Sequence, residues 1–532
     1  MTRAMVSLSL RQGMTMVSRG FGIDADCSCL LEFRQQACVK IKNMKFALIY
    51  PNYSDITGRG EFRRFEIFAG RGKIPERPHV GLGYLSEALI RNGIDHELFD
   101  MNNVIETYPE LKKQLKHYRP TVIGLTMVTP GYLKGYELIK KLKKDFPKAE
   151  IVVGGPHVSM KLTEILKEAP EVDVGFVSEA EQSLPEYLKA GCKPEKIKGV
   201  VYRKGRRLIY TPAELELNVD ELGWPKYEKW DLGKYSDVSL YTSRGCPFRC
   251  VFCTIGKFNQ SRFRPRSSAS VIEEIGYWYD RGQRLFPVED DNFCFDDKRI
   301  YDLCDAIEAA NFKGATFALG QGVRADKASR ELLKRMYEVG FKYATIAVEG
   351  GNNKVLRALR KGETIERIEK TIKDACDIGY EVRLLFVVGA KGETWEDVKD
   401  SLRVAEKYPV MYSRFNNLLP IPGTELYDWV EGEKLTFKKP EEYLNEYAMD
   451  YTEPFYETPE FPAEERRQAI VESDKVNQKL FQRYLARKLE VLGPLRYPLA
   501  YLGSRKQTQL MVSRFPWLYK LALEVRRGLV AC

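Results

Sequence analysis

Two series of short apolar runs, each run followed by a helix-length segment, most strongly constrain what this chain can fold into. The first series alternates with helical patterns such as Tyr132–Phe146, as is typical of a parallel sheet covered by helices. Its runs are Phe46–Tyr50, Thr121–Leu125, Ile151–Val153 and Val172–Val177. The pattern predicts an α/β fold that opens with a doubly wound, flavodoxin- or Rossmann-like parallel sheet over residues 44–195.

The second series contains six strand candidates separated by amphipathic segments of helix length. The candidates are Leu240–Thr242, Arg284–Glu289, Ala315–Leu319, Tyr343–Val348, Val382–Val388 and Arg414–Leu419. Six βα units predict a partial (βα)6 barrel of the TIM type over residues 233–430. Residues 196–232 are predicted to be a hairpin and connector, and residues 431–532 a mainly helical, basic region. Residues 1–43 show no sustained periodicity and are predicted to be an extension.

Length and cysteine content indicate a multidomain intracellular protein. At 532 residues the chain can form two or three domains. The sequence has no run of about eighteen uncharged apolar residues that could span a bilayer, and its first residues lack the apolar region of a secretory signal. We therefore expect a cytoplasmic protein whose 11 cysteines are thiols or metal ligands. Cys27, Cys29 and Cys38 lie in the extension, where a second metal site and unligated thiols are both compatible with the sequence.

Basic residues are concentrated near the C-terminal end. The net charge is +10, and residues 475–532 carry twelve Lys and Arg against Glu490 and Glu524. The balanced remainder argues against a nucleic-acid partner, which favours basic stripes near the active site. The basic repeat and the aromatic residues around it are Lys475, Lys479, Arg483, Arg487, Tyr484, Tyr497, Tyr501, Phe515, Trp517 and Tyr519. This composition is typical of helices lying on an anionic membrane surface, and a helical lid with a solvated basic face is the alternative.

The densest chemical signal is a group of three cysteines, Cys246, Cys250 and Cys253, directly after the first barrel strand. Barrel enzymes place their active sites at this end of the strands. Three thiolates can hold three irons of a [4Fe-4S] cluster and leave the fourth iron open to the amino and carboxylate groups of S-adenosylmethionine (SAM). A zinc site and buried free cysteines are the alternatives, although zinc usually takes four ligands.

The CxxxCxxC spacing with an aromatic at Phe252 resembles the signature of the radical SAM superfamily, and the resemblance extends from Ser239 to Leu426. It implies that a reduced cluster breaks the C5′–S bond of SAM and gives a 5′-deoxyadenosyl radical, which abstracts hydrogen from an unactivated carbon. It also implies an electron donor such as flavodoxin or ferredoxin.

Four further segments resemble the superfamily's SAM-binding positions. Glu289, Asp290 and Asp291 are similar to residues that bind the SAM amino group, with capping of the next helix as the alternative. Arg324 is similar to the arginine that holds the SAM carboxylate, and a solvated surface arginine is the alternative. Glu349 resembles the acid that meets the ribose.

The adenine side is represented by Gly389, which begins a turn that resembles the family's glycine-rich segment after the fifth strand. Ala390 and Lys391 stand where Pro-Gly pairs are commoner, and this difference leaves the adenine contact open.

The first domain resembles cobalamin-binding domains. Thr126, Val128, Gly154 and Gly155 follow two strands at the spacing of their Ser-x-Leu and Gly-Gly pair, and Gly83 lies in a third similar segment. The resemblance implies cobalamin at the carboxyl edge of the sheet. A plain strand-end turn and a degenerate domain are the alternatives.

The Asp-x-His-x-x-Gly motif, which supplies an axial histidine to cobalt in some cobalamin domains, is absent. Its register here contains Pro78, Val80 and Gly83, so any bound cobalamin is expected to lack a histidine ligand from the protein. His79 is out of register, and His157 is predicted to be a loop residue that bonds backbone groups.

Together these features predict a radical SAM enzyme that performs cobalamin-dependent C-methylation of a lipophilic small molecule. Radical ring closure or another C–C bond formation on a lipid or tetrapyrrole is the enzymatic alternative. An iron–sulfur electron carrier or a cobalamin sensor is the alternative outside enzymes, although a carrier generally gives every iron a protein ligand.

Overall fold

The computed structural model describes residues 44–53, 77–235, 237–446 and 453–505. The predictions for the extension, including Cys27, Cys29 and Cys38, therefore lie outside the described residues. So do those for Phe515, Trp517 and Tyr519.

The first domain is built on a seven-stranded sheet with the order β2-β1-β3-β4-β5-β6-β7. Its strands are β1 (Phe46–Tyr50), β2 (His96–Asp100), β3 (Val122–Thr126), β4 (Glu150–Gly154), β5 (Val174–Phe176), β6 (Val200–Lys204) and β7 (Arg207–Thr211). The first five strands are parallel, and this order is that of a doubly wound, flavodoxin-like sheet, as predicted. β6 and β7 pair antiparallel with the edge. The predicted connector hairpin is thus part of the first sheet.

Helices cover both faces of this sheet. They are α1 (Val80–Arg91), α2 (Tyr108–Tyr118), α3 (Tyr132–Asp145), α4 (Pro156–Lys161), α5 (Glu164–Glu168) and α6 (Ser183–Lys189). Because both faces of the sheet are covered by helices, β1 and β3 are buried on both sides and consist of continuous apolar runs.

The second domain is a partial parallel barrel with the strand order β10-β11-β12-β13-β14. Its strands are β10 (Leu285–Val288), β11 (Thr316–Val323), β12 (Phe341–Glu349), β13 (Glu381–Val388) and β14 (Tyr412–Asn417). Leu240 adds a parallel bridge to Val288, so all six predicted strand segments take part. A short antiparallel pair, β8 (Ser243–Arg244) and β9 (Arg264–Pro265), follows the first segment.

Helices connect the strands of the barrel. They are α7 (Ile255–Phe258), α8 (Ser268–Asp280), α9 (Asp297–Ala310), α10 (Arg330–Glu338), α11 (Asn353–Ala358), α12 (Ile365–Ile378) and α13 (Trp395–Lys407). Val382, Leu384 and Phe386 are fully buried in the core shared with these helices. The residues between them, such as Arg383 and Leu385, are half-buried and face the opposite side, which we call the lumen.

The C-terminal region is helical, as predicted. Its helices are α14 (Glu425–Gly432), α15 (Pro440–Glu446), α16 (Ala463–Lys488) and α17 (Arg496–Ser504). α16 covers the edge strand β14, where Asn477 Oδ1 accepts hydrogen bonds from the backbone N–H and hydroxyl of Ser413, both at 2.9 Å.

The predicted basic stripe on α16 contacts the barrel. Lys479 pairs with the Glu406 carboxylate at 2.8 Å, and Arg483 donates to the Glu406 carbonyl at 3.0 Å. Lys475 pairs with Glu472 on its own helix at 2.7 Å. None of the helices in the described part of the chain has the length and apolar character needed to cross a bilayer.

Candidate functional site

The three cysteines lie on the loop between β8 and β9, residues 245–263, which we call the cluster loop. Gly245 has φ +85°, and a Cβ there would overlap the Arg262 carbonyl oxygen. Only glycine therefore lets the loop close on itself. The Gly245 N–H donates to Asp291 Oδ2 at 2.8 Å, which ties the loop to the end of β10.

Cys246, Cys250 and Cys253 are free thiols. Partial removal from water raises the pKa of all three, that of Cys253 to about 11. Within the described residues, no three His, Cys, Asp or Glu side chains converge on one metal-ion position. In a [4Fe-4S] cluster with three cysteine ligands, each thiolate binds a different iron. The donor set therefore fits a [4Fe-4S] cluster.

Asp290 and Glu289 are occupied by contacts within the protein. Asp290 is 2% exposed and accepts hydrogen bonds from the backbone and hydroxyl of Thr242, both at 2.6 Å, and from the Ser243 hydroxyl at 2.5 Å. Glu289 accepts from Arg77 at 3.0 Å and from Gln321 at 2.9 Å. Of the predicted acidic trio, Asp291 is the member that reaches the cavity described below.

Arg324 is buried, at 5% exposure, so the alternative of a solvated surface arginine does not hold. Its guanidinium donates to the Lys361 carbonyl at 2.8 Å and to Asp326 at 3.0 Å, and it lies 3.7 Å from Glu363. It also stacks over the ring of Phe248, at 3.6 Å from the centroid, within the cluster loop. Arg324 therefore lies beside the cysteines, and its guanidinium is hydrogen-bonded to groups of the protein itself.

Glu349 ends β12 with φ +66°, a left-handed conformation that is uncommon outside glycine. Its carboxylate pairs with the Lys361 ammonium at 3.3 Å, and Lys361 also lies 3.6 Å from Glu363. The charge of Lys361 lowers the pKa of the nearby Cys250 thiol, against the larger effect of desolvation. Lys361 thus connects the predicted ribose contact to the cluster loop.

Hydrogen bonds from neighbouring side chains fix the turn at Gly389. The Gly389 N–H donates to Glu393 Oε2 at 2.6 Å, and its carbonyl accepts from the Tyr456 hydroxyl at 2.5 Å. Gly389 has φ +112°, and a Cβ there would lie 2.6 Å from Arg466 Nη1. Phe252, the predicted aromatic of the cysteine motif, is half-buried against the apolar core.

A cavity of 370 Å³ lies between the carboxyl edge of the first sheet and the cluster loop. Thr126, Val128, Gly154 and Gly155 line it from the first domain, whereas Gly83 is not among the lining residues. Gly155 has φ +100°, and a Cβ there would lie 2.7 Å from the Met127 carbonyl oxygen. Gly83 instead allows close packing, since a Cβ would lie 2.6 Å from the Tyr227 ring. The glycine pair fits a flat ligand laid against the backbone.

The segment at the register of the absent axial-histidine motif also lines the cavity, through His79 and Val80. His79 caps α1, where its Nδ1 accepts the Leu82 N–H at 3.1 Å. Burial lowers its pKa to about 4, so the ring is neutral and carries its proton on Nε2. Nδ1 is therefore occupied by the cap of α1, and the lack of a histidine ligand to cobalt stays a prediction.

His157 differs from its prediction as a loop residue that bonds backbone groups. It lies in the first turn of α4, fully buried. Its ring stacks on Tyr132 and lies 2.9 Å from the Tyr136 hydroxyl. Burial lowers its pKa to about 3. His157 is therefore a core residue.

Comparison with known families and proteins decides the class of enzyme. The radical SAM superfamily model matches residues 240–405, and the B12 binding domain model matches residues 76–188. The chain is a radical SAM enzyme with a B12-binding domain. These domains imply a [4Fe-4S] cluster, SAM and cobalamin as its cofactors.

Several relatives of this radical SAM enzyme are named for a reaction. An uncharacterized methyltransferase of Pyrococcus horikoshii is 28% identical, covering 66% of this chain and 78% of the relative. The cytidylyl-2-hydroxyethylphosphonate methyltransferase of Streptomyces wedmorensis is 25% identical, covering 71% and 82%. The anaerobic magnesium-protoporphyrin IX monomethyl ester cyclase of Cereibacter sphaeroides is 24% identical, covering 72% and 63%.

Among solved structures, the cobalamin-dependent SAM radical enzyme OxsB, with aqua-cobalamin and SAM bound, superposes with a TM-score of 0.67 at 17% identity. The match covers 89% of this chain and 75% of OxsB. This likeness shows a shared fold.

One contact of this radical SAM enzyme joins the two cofactor regions, and sequence reasoning missed it. Arg244, two residues before Cys246, pairs with Glu181 at 2.7 Å and with Glu179 at 3.2 Å. It also lies over the ring of Tyr84 at 4.2 Å. Arg244 and both glutamates line the cavity, so this ion-pair cluster joins the cluster loop to the B12-binding domain.

Sequence reasoning also missed two other residues near the cysteines. Lys361 and Asn292 meet the cysteines from distant parts of the sequence, and Asn292 Nδ2 lies 3.8 Å from Cys246 Sγ. The signal in the sequence was that Asn292 directly follows Asp291 and that Lys361 comes twelve residues after Glu349.

Proposed function

We propose that this enzyme is a cobalamin-dependent radical SAM methyltransferase that acts on an unactivated carbon. The observation that carries the proposal is the shared wall between the cavity and the cluster loop. Thr254 and Ile255, directly after Cys253, line the same cavity as Gly154 and Gly155. A methyl carrier in the cavity would then lie next to the centre where the radical forms.

The chemistry that the cofactors supply when bound is reductive cleavage of SAM to a 5′-deoxyadenosyl radical and carriage of a methyl group. The residues of the chain position these groups. Cys246, Cys250 and Cys253 would hold the cluster, and the cations Arg324 and Lys361 would stabilise negative charge beside it. The apolar half of the cavity wall, such as Leu82 and Val153, would exclude water.

Radical ring closure is the second candidate, and similarity to the Cereibacter sphaeroides cyclase favours it. Product analysis separates the two candidates. Reconstituted enzyme is supplied with SAM, cobalamin, dithionite and a small-molecule extract of cells that lack this chain. Formation of S-adenosylhomocysteine together with 5′-deoxyadenosine supports methylation. A rise of 5′-deoxyadenosine above the rate without extract, with no S-adenosylhomocysteine, supports ring closure, and absence of both products contradicts the proposal.

We further propose that the substrate has a lipophilic body, that flavodoxin or ferredoxin supplies the electrons, and that the region after α16 contacts an anionic membrane surface. Val491, Leu495 and Tyr497 are 70%, 65% and 58% exposed, beside the basic Arg496. Such a combination favours the interface of an anionic bilayer. Lys475 and Lys479 of α16 are already paired with carboxylates, so they contribute less to membrane binding.

Liposome co-sedimentation of the full chain tests the membrane contact. Val491→Ser with Leu495→Ser should reduce binding to anionic vesicles. Leu217→Ser, which removes a 61% exposed apolar side chain in the connector after β7, should leave binding unchanged. Equal sedimentation of all three proteins, or no preference for anionic lipid, would contradict the proposal.

A further inference from the structure

The segment that follows β10 contacts the start of the cluster loop at three successive points. Asp290 accepts a hydrogen bond from the first residue of β8, directly before the loop. Asp291 accepts the Gly245 N–H at 2.8 Å. The next residue, Asn292, places its Nδ2 at 3.8 Å from Cys246 Sγ, within hydrogen-bond distance for sulfur. The two neighbouring bonds therefore fix the position of Asn292 beside the first cysteine.

The side chain of Asn292 is 1% exposed, so water does not compete for its amide. Within the described part of the chain, its contact with Cys246 is the one side-chain hydrogen bond that reaches any of the three cysteine sulfurs. The nitrogen and oxygen of a carboxamide have nearly the same shape, but a thiolate that binds iron has only lone pairs to offer. Such a sulfur selects the N–H side of the amide.

Folding alone does not explain an amide at this position. Asn292 Oδ1 is buried without a hydrogen-bond partner among the described residues, and burial of an unpaired polar atom costs free energy. An apolar side chain of the same shape would avoid that cost. The effect of the amide N–H on the sulfur is therefore the better explanation.

Hydrogen bonds to the ligating sulfurs are one of the factors that set the reduction potential of an iron–sulfur cluster. The reduced cluster carries one more negative charge than the oxidised cluster, and the sulfur atoms share that charge. An N–H donor directed at the sulfur stabilises the reduced form more than the oxidised form, so it raises the potential. Burial strengthens this effect because the local dielectric constant is low.

We propose that Asn292 is a positioning residue that raises the reduction potential of the [4Fe-4S] cluster through its hydrogen bond to Cys246. In the step that it assists, the oxidised cluster gains one electron from the reductant, and no bond is formed or broken. Asn292 acts through the cysteine and is not itself a ligand. The proposal rests on the proposed function, because it requires a cluster on the three cysteines, and it adds a residue that controls how easily the cluster is reduced.

Redox titration of the reconstituted full chain tests the proposal. The cluster is reduced stepwise with titanium(III) citrate and mediators, without SAM, and the EPR signal of the reduced cluster gives the midpoint potential. Asn292→Leu removes the N–H at similar size, so the ratio of reduced to oxidised cluster at a fixed potential should fall about tenfold, as expected for a hydrogen bond to a charged group. For a one-electron couple this is a shift of about 59 mV to lower potential. Asn292→Asp, which places a negative charge beside the sulfur, should lower the potential further.

Asn259→Leu is the matched control. Asn259 is a 4% exposed asparagine of the same loop that accepts from Arg264 at 3.2 Å, and it has no hydrogen bond to a cysteine sulfur in the described ranges. Its replacement should leave the potential unchanged. Thermal unfolding of the same proteins separates the two roles of Asn292, because a purely structural role would lower the unfolding midpoint of Asn292→Leu without moving the potential.

A second measurement decides the question even if Asn292→Leu fails to bind a cluster. In wild-type protein labelled with ¹⁵N in the side-chain amides of asparagine, pulsed EPR of the reduced cluster should detect a ¹⁵N coupling. Absence of this coupling, or an unchanged potential in cluster-loaded Asn292→Leu and Asn292→Asp, would overturn the proposal. A wild-type protein that forms no [4Fe-4S] cluster would instead be a failure of the proposed function.

Discussion

Replacing Asp290 by alanine distinguishes a structural carboxylate from one that binds SAM. Asp290 accepts three hydrogen bonds from Thr242 and Ser243 and lies 3.7 Å from Arg299. Arg299 is 9% exposed, so the substitution leaves a nearly buried guanidinium without its carboxylate. Removing one partner of a buried ion pair costs about 3–5 kcal/mol. At about 2–4 °C per kcal/mol for a domain of this size, the unfolding midpoint should fall by roughly 6–20 °C.

The assay is thermal unfolding of the protein without SAM, so that ligand binding does not contribute to the midpoint. Asp290→Asn keeps an acceptor for Thr242, so its unfolding midpoint should lie between those of Asp290→Ala and the wild type. Asp291→Ala is the matched control, because Asp291 accepts one hydrogen bond from Gly245, and it should lower the midpoint less. A midpoint for Asp290→Ala within about 2 °C of wild type, together with weakened SAM binding, would refute the structural assignment.

Four further changes have defined outcomes. Cys250→Ala should abolish both the [4Fe-4S] spectrum and 5′-deoxyadenosine formation, and undiminished cleavage would contradict the cluster assignment. Gly155→Val should prevent cobalamin binding without changing iron content, because the Cβ meets the Met127 carbonyl oxygen; unchanged cobalamin affinity would place the ligand elsewhere. Arg244→Gln should weaken cobalamin binding while Arg244→Lys retains part of it, and equal loss in both would indicate a packing role. Burial raises the pKa of Glu393 from 4.5 to about 7, so the folded state holds a proton that the unfolded state releases between these values. Stability should therefore fall as pH rises through this window, and Glu393→Gln should lack that slope.

The alternation of strands and helices was sufficient to predict both domains. β1 and β3 are each an uninterrupted apolar run, and the spacing of six strand candidates after residue 239 predicted the barrel. The hairpin of β6 and β7 was predicted correctly as a hairpin, but its pairing with β5 was not. An antiparallel addition to a sheet edge depends on a tertiary contact that alternation along the chain does not encode.

The site was predictable where a motif places its residues together and unpredictable where the fold does so. Cys246, Cys250 and Cys253 are adjacent in sequence, and their spacing carries the chemistry. Arg244 was within the same motif, but its role depends on Glu179 and Glu181, more than sixty residues earlier. The sequence shows that a residue is charged, but it does not show which residue will be its ion-pair partner.

The charge arrangement beside the cysteines limits how SAM can bind. If Arg324 binds the SAM carboxylate, as the family resemblance implies, the ligand competes with Asp326 and Glu363, which already contact its guanidinium. An exchange of one carboxylate for another adds little net ion-pair energy, since the pairing gained replaces a pairing lost. The favourable free energy must then come mainly from the open iron of the cluster, because the backbone N–H and carbonyl of Gly389 are already bonded to Glu393 and Tyr456. We therefore expect tight SAM binding to depend on the assembled cluster, and Arg324 to affect the orientation of SAM more than its affinity.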